Sequence, residues 1–272
     1  MATGDLVTQP GHVQFGELLL GPGTAYGWQS LTGWEDSPAL DSGTVSRADA
    51  HGAYPGRLLA QPRTITLDGI VIRTEPGQAG TAVRALSAAT ALRDDELPLV
   101  IQLDRSPPLA AWARCIRRAV PVGTGGYAVG VVHGAALQFE ASDPRRYGLI
   151  EQQTSLTAAA PSAAVRNTGD AVSHPVITFR GPVERPSLTN AASGDVLEYD
   201  IALADGERLH VDTREGSVTL NGQNVISSAT NRSTPEQAFT LAPGTTPLTF
   251  GMAPGFGDPA ATATVRYRAA YW

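Results

Sequence analysis

The residues of this 272-residue chain that could do chemistry are few and widely spaced. No two histidines have the spacing of paired metal ligands, and no H-E-x-x-H motif occurs. We therefore interpret them as surface or packing residues and predict no metal site. The histidines are His12, His51, His133, His174 and His210.

Nucleophilic and acid–base signatures are also missing. The single cysteine, Cys115, cannot form an intrachain disulfide, and its strand-like surroundings predict a passive, partly buried thiol. No G-x-S-x-G elbow occurs. Asp94, Asp95 and Glu96 are adjacent in sequence, whereas acid–base catalysis needs carboxylates that meet across a cleft. We predict no catalytic residue; carboxylates brought together from different strands stay an open alternative.

Nucleotide and nucleic-acid binding are not indicated. The segment GTGGYA at 123–128 lacks the third glycine of a dinucleotide fingerprint and precedes strand-like alternation, so we predict a turn. All 20 cationic residues are arginines, the net charge is −6, and basic runs do not exceed the pairs Arg117–Arg118 and Arg145–Arg146. A phosphate loop needs a lysine and DNA binding needs clustered cations. We predict no cofactor and no nucleic-acid specificity.

Tryptophans offer one alternative, because aromatic faces stack on sugar rings. Trp28 and Trp34 lie in a glycine-rich segment and Trp272 is terminal. Packing of loops or of subunits explains them at least as well.

The elements of the first half are mostly strands. The 29 glycines and 20 prolines favour many short strands over long helices. Alternating apolar residues predict strands over 13–20, 63–73, 97–103, 109–120 and 127–142. An alanine-rich stretch predicts one helix over 78–95. Residues 21–62 are rich in loops, and we expect contacts elsewhere to order them.

The second half resembles a series of short antiparallel strands. We predict strands over 174–181, 196–204, 208–213, 217–220, 237–241, 247–252 and 261–272. The pairs Asp205–Gly206 and Asn221–Gly222 predict tight hairpins. The polar stretch 150–164 is typical of a linker. The predicted organisation is an N-terminal β-rich domain with one α-helix (1–149), a linker (150–164) and a C-terminal antiparallel β-sandwich (165–272).

No membrane insertion is predicted, because no window approaches 18 uninterrupted apolar residues. The N-terminal residues also lack the pattern of a secretory signal. We expect folding in a cytoplasm, from which the protein could travel as part of a particle.

Several segments in collinear order resemble the distal tail protein family of long-tailed phages. HGAYPGRLLAQPRTITLDGIVI at 51–72 contains an R-x-I-T-L-x-G strand, and LQFEASDPRRYG at 137–148 resembles the end of the first domain. VRNTGDAVSHPVITFRGP at 165–182 resembles the start of the second. The remaining segments are ERLHVDTREGSVTLNGQN at 207–224, FTLAPGTTPLTF at 239–250 and ATVRYRAAYW at 263–272.

This resemblance implies a structural virion protein at the distal end of the tail, with a galectin-like second domain. It implies a homohexameric ring whose N-terminal domains surround a channel and whose C-terminal sandwiches project outward. The implied partners are the tail tube protein, the tail-tip hub and the receptor-binding or baseplate proteins. We expect assembly in the cytoplasm of a bacterial host and no enzymatic activity.

Within the structural class, a different tail component such as a tube or hub subunit stays possible, although tube proteins usually have a single domain. Two alternatives outside that class also stay open. One is a carbohydrate-binding accessory module of the tail tip that contacts the host cell wall. The galectin sugar-binding residues do not match here, since residues 166–271 contain no tryptophan. The other is a β-sandwich hydrolase, which would need a convergent pocket that the sequence does not indicate.

Overall fold

The computed structural model describes residues 2–255 and 258–272. The chain divides into two compact units: unit 1 extends to Leu149 and includes Trp272, and unit 2 comprises Ile150–Tyr271. Antiparallel sheets dominate both units, which confirms the predicted mainly β fold. None of the described helices is long and apolar enough to span a membrane.

Unit 1 consists of short and long strands with two helices. Its strands are β1 (His12–Phe15), β2 (Leu18–Leu20), β3 (Tyr26–Gly27), β4 (Ser30–Thr32), β5 (Leu40–Ser42), β6 (Val45–Ser46), β7 (Ala53–Tyr54), β8 (Leu58–Ala60), β9 (Arg63–Arg73), β10 (Leu97–Gln102), β11 (Leu109–Ala119), β12 (Val131–Ala141) and β13 (Arg146–Gly148). Its helices are α1 (Ala79–Ala89) and α2 (Thr124–Val129).

The main sheet of unit 1 has the strand order β2-β1-β10-β11-β12-β9-β3, with β4 also paired to β9 and β13 to β11. One face buries an apolar core in which the Phe15 and Phe139 rings lie 4.8 Å apart. Helix α1 packs Ala79, Ala82 and Leu86 against this core. The three positions follow helical spacing, so α1 covers the sheet along one stripe.

Helix α1 ends six residues earlier than predicted, at Ala89. The Thr90 hydroxyl donates to the Leu86 carbonyl oxygen at 2.7 Å. Arg118 of β11 donates to the carbonyl oxygens of Ser87 and Thr90, each at 3.0 Å. These donors satisfy the terminal carbonyls of the helix, so the chain can leave the helical path there.

Two further predictions for unit 1 need correction. The single strand predicted over 13–20 is the hairpin β1–β2, which turns at Gly16 with a positive φ of 56°. The strand predicted from residue 127 begins at Val131, and most of the predicted turn at 123–128 belongs to the short helix α2. Gly130, with φ of 82°, ends α2 and allows the chain to enter β12.

Unit 2 contains thirteen strands and two 3-10 turns among its described residues. The strands are β14 (Gln152–Thr157), β15 (Ser162–Asn167), β16 (Val176–Arg180), β17 (Val183–Glu184), β18 (Ser187–Asn190), β19 (Val196–Glu198), β20 (Ala202–Leu203), β21 (Arg208–Asp212), β22 (Ser217–Leu220), β23 (Gln223–Asn224), β24 (Gly244–Gly251), β25 (Thr262–Tyr267) and β26 (Ala270–Tyr271). The 3-10 turns are Ile226–Ser228 and Glu236–Ala238.

Two larger sheets enclose the core of unit 2. One has the order β14-β25-β16-β21-β22-β23 and the other β15-β24-β18-β19. Their buried apolar residues form one cluster, in which Phe179 contacts the rings of Tyr199 and Phe250. Two sheets around one core form the sandwich expected from the alternating strands.

The predicted linker over 150–164 is wrong, because this segment contains β14 and the first half of β15. β14 pairs along its full length with β25, and β15 pairs with β24. The strand predicted over 237–241 is also wrong: a 3-10 turn follows Pro235 there, and Leu241 forms only an isolated bridge to Ser173.

Of the two predicted hairpins, one is present. Asn221 and Gly222 both have positive φ and connect the paired strands β22 and β23. Asp205 and Gly206 form a turn, but β20 before it pairs with β17 rather than with β21. This turn therefore connects strands of different sheets.

Candidate assembly surface

The residues considered for chemistry are dispersed in the structure. No group of three or more His, Cys, Asp or Glu side chains in residues 2–255 and 258–272 is placed to hold a metal ion. The ring of buried His12 lies 3.0 Å from the Pro22 carbonyl oxygen, and the ring of His210 lies 3.0 Å from the Thr178 hydroxyl. These rings take part in local hydrogen bonding. The other three are exposed (His51, His133) or half-buried (His174).

Cys115 and the acidic residues at 94–96 also do not come together in a common site. Cys115 is buried, and burial raises the pKa of its thiol, which disfavours the nucleophilic thiolate. Asp94 and Asp95 are exposed, whereas Glu96 accepts a hydrogen bond from the Ser142 backbone amide at 2.8 Å. The three carboxylates do not form a shared site.

The tryptophans of the glycine-rich segment form no exposed platform. Trp34 is buried in the core of unit 1. Trp28 is half-buried, and its indole N–H donates to the Gly11 carbonyl oxygen at 2.9 Å. Their positions are those of packing residues rather than of sugar-stacking surfaces.

An exposed arm forms a distinct surface of unit 1. We define the arm as residues 37–62, which include two consecutive antiparallel pairs, β5–β8 and β6–β7. No arm residue is buried. The arm nevertheless carries five large apolar side chains that are between 52% and 64% exposed: Leu40, Val45, Tyr54, Leu58 and Leu59.

An isolated two-stranded hairpin is marginally stable in water. The arm consists of such pairs and contributes no residue to the core of unit 1. Exposed apolar clusters of this kind mark interaction surfaces in soluble proteins. The arm therefore has the properties of a segment that is completed by a partner.

The base of the arm is fixed by Arg63, which is 1% exposed. Its Nη1 donates to the carbonyl oxygens of Gly33, Trp34 and Asp36 at 2.8, 3.0 and 2.7 Å, and its Nε donates to that of Pro144 at 2.6 Å. One guanidinium thus joins the chain entering the arm to the turn that follows β12. Burial lowers the pKa of Arg63, and neighbouring Arg146 lowers it further.

Residues of the 137–148 motif complete this base. Arg146 is buried; its Nη1 lies 2.7 Å from the Glu35 carboxylate, and its guanidinium carbon lies 5.6 Å from the Trp34 ring centre. Asp143 accepts hydrogen bonds from the Arg145 guanidinium at 2.8 and 3.0 Å and from the Tyr147 hydroxyl at 2.6 Å. We call Trp34, Glu35, Arg63, Asp143 and Arg146 the arm root.

The pKa of Asp143 reflects two opposing effects. Burial alone would raise it, but the hydrogen bonds and charge of Arg145, together with the Tyr147 hydroxyl, outweigh burial and lower it. Asp143 is therefore held as a carboxylate that orders the turn at 143–147. Sequence reasoning noted this motif only for its resemblance. Arg63 and its partner Pro144 are 81 positions apart, so no local sequence pattern indicates this contact.

Comparison with known proteins agrees with the motif resemblance. Residues 168–271 match a family model described as the siphovirus-type tail component, C-terminal domain. The distal tail protein of Bacillus phage SPP1 is 35% identical over 102 residues. That match spans 36% of this chain and 39% of the relative, so it covers well under half of each.

Solved structures extend the likeness in fold to both units. The crystal structure of the SPP1 protein superposes with a TM-score of 0.72 at 17% identity and covers 96% of this chain and 99% of that one. A chain of the phage p2 baseplate gives a TM-score of 0.50 at 8% identity, covering 94% and 97% of the two chains. The resemblance to siphophage distal tail proteins is confirmed.

Proposed function

From this relationship to distal tail proteins, we propose that the chain is a structural subunit at the distal end of a phage tail. The observation that carries the proposal is the arm, an exposed apolar hairpin without a core of its own. A subunit that works by assembly needs such a surface, whereas an enzyme needs a convergent site. We propose no catalytic activity and no resident cofactor.

In the proposed assembly, unit 1 forms a homohexameric ring and the arm of each copy covers its neighbour. An arm and its receiving surface are different patches, so the contact is heterologous. Heterologous contacts repeat around a ring when the rotation closes. The arm root supports this arrangement, because buried Arg63 and Arg146 fix the segment from which the arm emerges.

The proposed partners are those of a distal tail ring. They are the tail tube protein, the tail-tip hub and the receptor-binding or baseplate proteins. The SPP1 protein is described as a paradigm of the hub of an adsorption apparatus in phages that infect Gram-positive hosts. We propose that the chain is assembled in the host cytoplasm and carried in the virion.

The test is the mass of the purified protein by light scattering, with negative-stain images of the same peak. We expect a species of roughly six times the 28.4 kDa chain mass, with a central hole. Replacing residues 37–62 by a short Gly-Ser linker removes the exposed apolar surface and should yield single chains. Leu92→Ser and Val122→Ser, which alter exposed apolar residues outside the arm, should still assemble.

Each result bears on a separate part of the proposal. Intact rings from the arm-deleted chain would refute the role of the arm. A wild-type chain that stays single at high concentration and on isolated tail tubes would refute the ring. The emission of the tryptophans, all of which belong to unit 1, reports whether each variant keeps its fold.

A further inference from the structure

The outer face of the six-stranded sheet of unit 2 has a polar centre. Phe179 and Leu209 are buried in the core of the sandwich, so the positions that alternate with them lie on the opposite face. Strand pairing places six of these positions in one row that crosses every strand of the sheet. The row consists of Ser155, Thr264, Thr178, His210, Thr219 and Asn224. The centre of this face is thus a row of hydroxyl, imidazole and amide groups.

Two arginines lie directly opposite each other beside this row. Arg180 of β16 pairs with Arg208 of β21, two positions along from Thr178 and His210 on the same face. Like charges at directly opposite positions of an antiparallel pair are destabilising. Arg180 and Arg208 are exposed, and neither side chain has a hydrogen-bond or ion-pair partner among the residues that the structure describes. An uncompensated pair of positive charges therefore stands on a chain whose net charge is −6.

The carboxylates closest along the strand form hydrogen bonds elsewhere. Glu207, which precedes Arg208, accepts from the Ala204 backbone amide at 2.8 Å and from the Asn221 side-chain amide at 3.3 Å. Asp212 lies on the same face at the other end of β21. It accepts from the backbone amides two and three residues further along the chain, at 2.9 and 3.0 Å. The arginine pair thus keeps its charge available for an anion.

The ring of His210 lies within the field of these cations. Its Nδ1 is 3.0 Å from the Thr178 hydroxyl, and its Nε2 has no partner among the described residues. Burial lowers the pKa of His210, and the charges of Arg266 and Arg208 lower it further. Arg266 itself lies 3.9 Å from Glu151 at the other side of the row. A ligand at the middle of the row would therefore meet positive potential and a free ring nitrogen.

We infer that this face binds a phosphate group carried on a polyol chain, with the phosphate between Arg180 and Arg208 and the polyol along the row. Guanidinium groups bind phosphate oxygens through paired N–H donors, and an anion between them would remove the repulsion of the pair. Serine and threonine hydroxyls both donate and accept, as polyol hydroxyls do. The row spans about 24 Å at ~4.8 Å per strand gap, which is enough for several units of such a chain.

A protein partner or a neutral sugar fits this face less well. The cores of protein interfaces are enriched in aromatic residues and methionine. The paired positions of this face, all of which the structure describes, contain no Phe, Tyr, Trp or Met, and Val176 is their only apolar residue. A neutral sugar would also find no aromatic ring on which to stack. The inference goes beyond the proposed function, because the ring does not depend on it.

The test is the fluorescence anisotropy of a labelled oligomer of glycerol phosphate, titrated with the full-length protein. We expect saturable binding by the wild type. Arg180→Gln and Arg208→Gln combined in one chain should weaken it by about tenfold or more, because both charged donors to the phosphate are lost. The matched control is Arg166→Gln, an exposed arginine of the other sheet of unit 2, which should change the affinity by less than about twofold.

A further variant tests the row itself. Thr178→Val removes one hydroxyl at nearly constant volume and should weaken the oligomer by about threefold. No saturable binding by the wild type, or an equal loss in Arg166→Gln, would overturn the site. Displacement of the oligomer by poly-glutamate at equal charge would overturn the polyol in favour of an acidic protein segment. Displacement by inorganic phosphate at equal phosphate concentration would overturn the part of the row.

Light scattering separates this inference from the proposed ring. Arg180, Arg208 and Thr178 lie in unit 2, so their variants should assemble to the same mass as the wild type. Loss of oligomer binding at unchanged mass supports the site. Unchanged binding by the doubly substituted chain would overturn it, whatever the state of assembly.

Discussion

Unit 1 and unit 2 differ in how completely each satisfies its own apolar surface. In unit 2 the exposed large apolar residues are scattered: Ile150, Val172 and Ile226. In unit 1 five of them are concentrated in one arm that adds nothing to the core. Scattered exposure is ordinary for a soluble protein, whereas a concentrated patch is the mark of an interface. Unit 2 covers most of its large apolar residues within its own fold, whereas the arm of unit 1 leaves five of them exposed.

The buried polar groups show the same contrast. In unit 2, Asn167 and Asn190 donate to backbone carbonyl oxygens, and the Tyr199 hydroxyl donates to the Glu236 carboxylate. These hydrogen bonds connect loops to the strands of the sandwich. In unit 1, buried Arg63 and Arg146 hold the base of a segment that itself is not buried. Burying a cation is costly unless its donors are satisfied. Arg63 meets this requirement only in part: its Nε and Nη1 donate to four carbonyl oxygens, whereas its Nη2 has no hydrogen-bond partner among the described residues.

The largest expected effect within the fold is that of Arg63→Ala. The substitution leaves the carbonyl oxygens of Gly33, Trp34, Asp36 and Pro144 without their buried donor, which should lower the free energy of unfolding of unit 1 by about 3 kcal/mol. Urea unfolding followed by tryptophan emission measures this in unit 1 alone, because residues 166–271 contain no tryptophan.

The matched control is Arg117→Ala, an exposed arginine of the same sheet. It should change the stability by less than ~0.5 kcal/mol. Equal losses from both substitutions would remove the distinction between the arm root and the rest of unit 1.

Much of the sheet framework was predictable, because it depends on local alternation. β9 and the ends of β11 follow the predicted bounds closely, since period-2 apolar patterns alone place them on one sheet. The Asn221–Gly222 hairpin was predictable because few other residue pairs tolerate two positive φ values. Such features need no knowledge of distant residues.

Several of the features that sequence reasoning missed depend on distant partners. β14 and β15 consist mainly of Ala, Ser, Thr and Gln, and they are strands because β25 and β24 pair with them. Helix α1 ends where Arg118 reaches its last carbonyls. The base of the loop-rich segment 21–62 is held by Arg63 and Arg146, as the expectation of ordering by contacts elsewhere requires, and its arm lies exposed.

A smaller effect is expected for Asp143→Asn, which should lower the stability of unit 1 by about 2 kcal/mol at pH 7 by weakening charged hydrogen bonds. The folded pKa of Asp143 lies below its ordinary value of about 3.9. Its stabilisation is therefore present above that value and is lost as the pH falls toward the folded pKa.

Urea midpoints of wild type and Asp143→Asn, read by tryptophan emission between pH 7 and pH 3, measure this directly. The gap between the two proteins should be constant down to about pH 5 and should narrow below pH 4. A gap that persists unchanged at pH 3 would show that Asp143 acts through packing rather than through its charge.

The smallest expected effect lies in unit 2 and concerns His210. Burial lowers the pKa of this ring, and the charges of Arg266 and Arg208 lower it further. The folded pKa of His210 therefore lies below the ordinary value of about 6.5. The stability that the neutral ring contributes is present above pH 6.5 and is lost as the pH falls from 6.5 toward the folded pKa.

Arg266→Gln should raise the His210 pKa toward the ordinary value, as measured by an NMR titration of the ring protons. Arg166→Gln, whose charge is not among the causes of the shift, should leave it unchanged. An Arg266→Gln protein whose His210 pKa stays at the wild-type value would show that burial rather than the neighbouring arginine charge sets the shift.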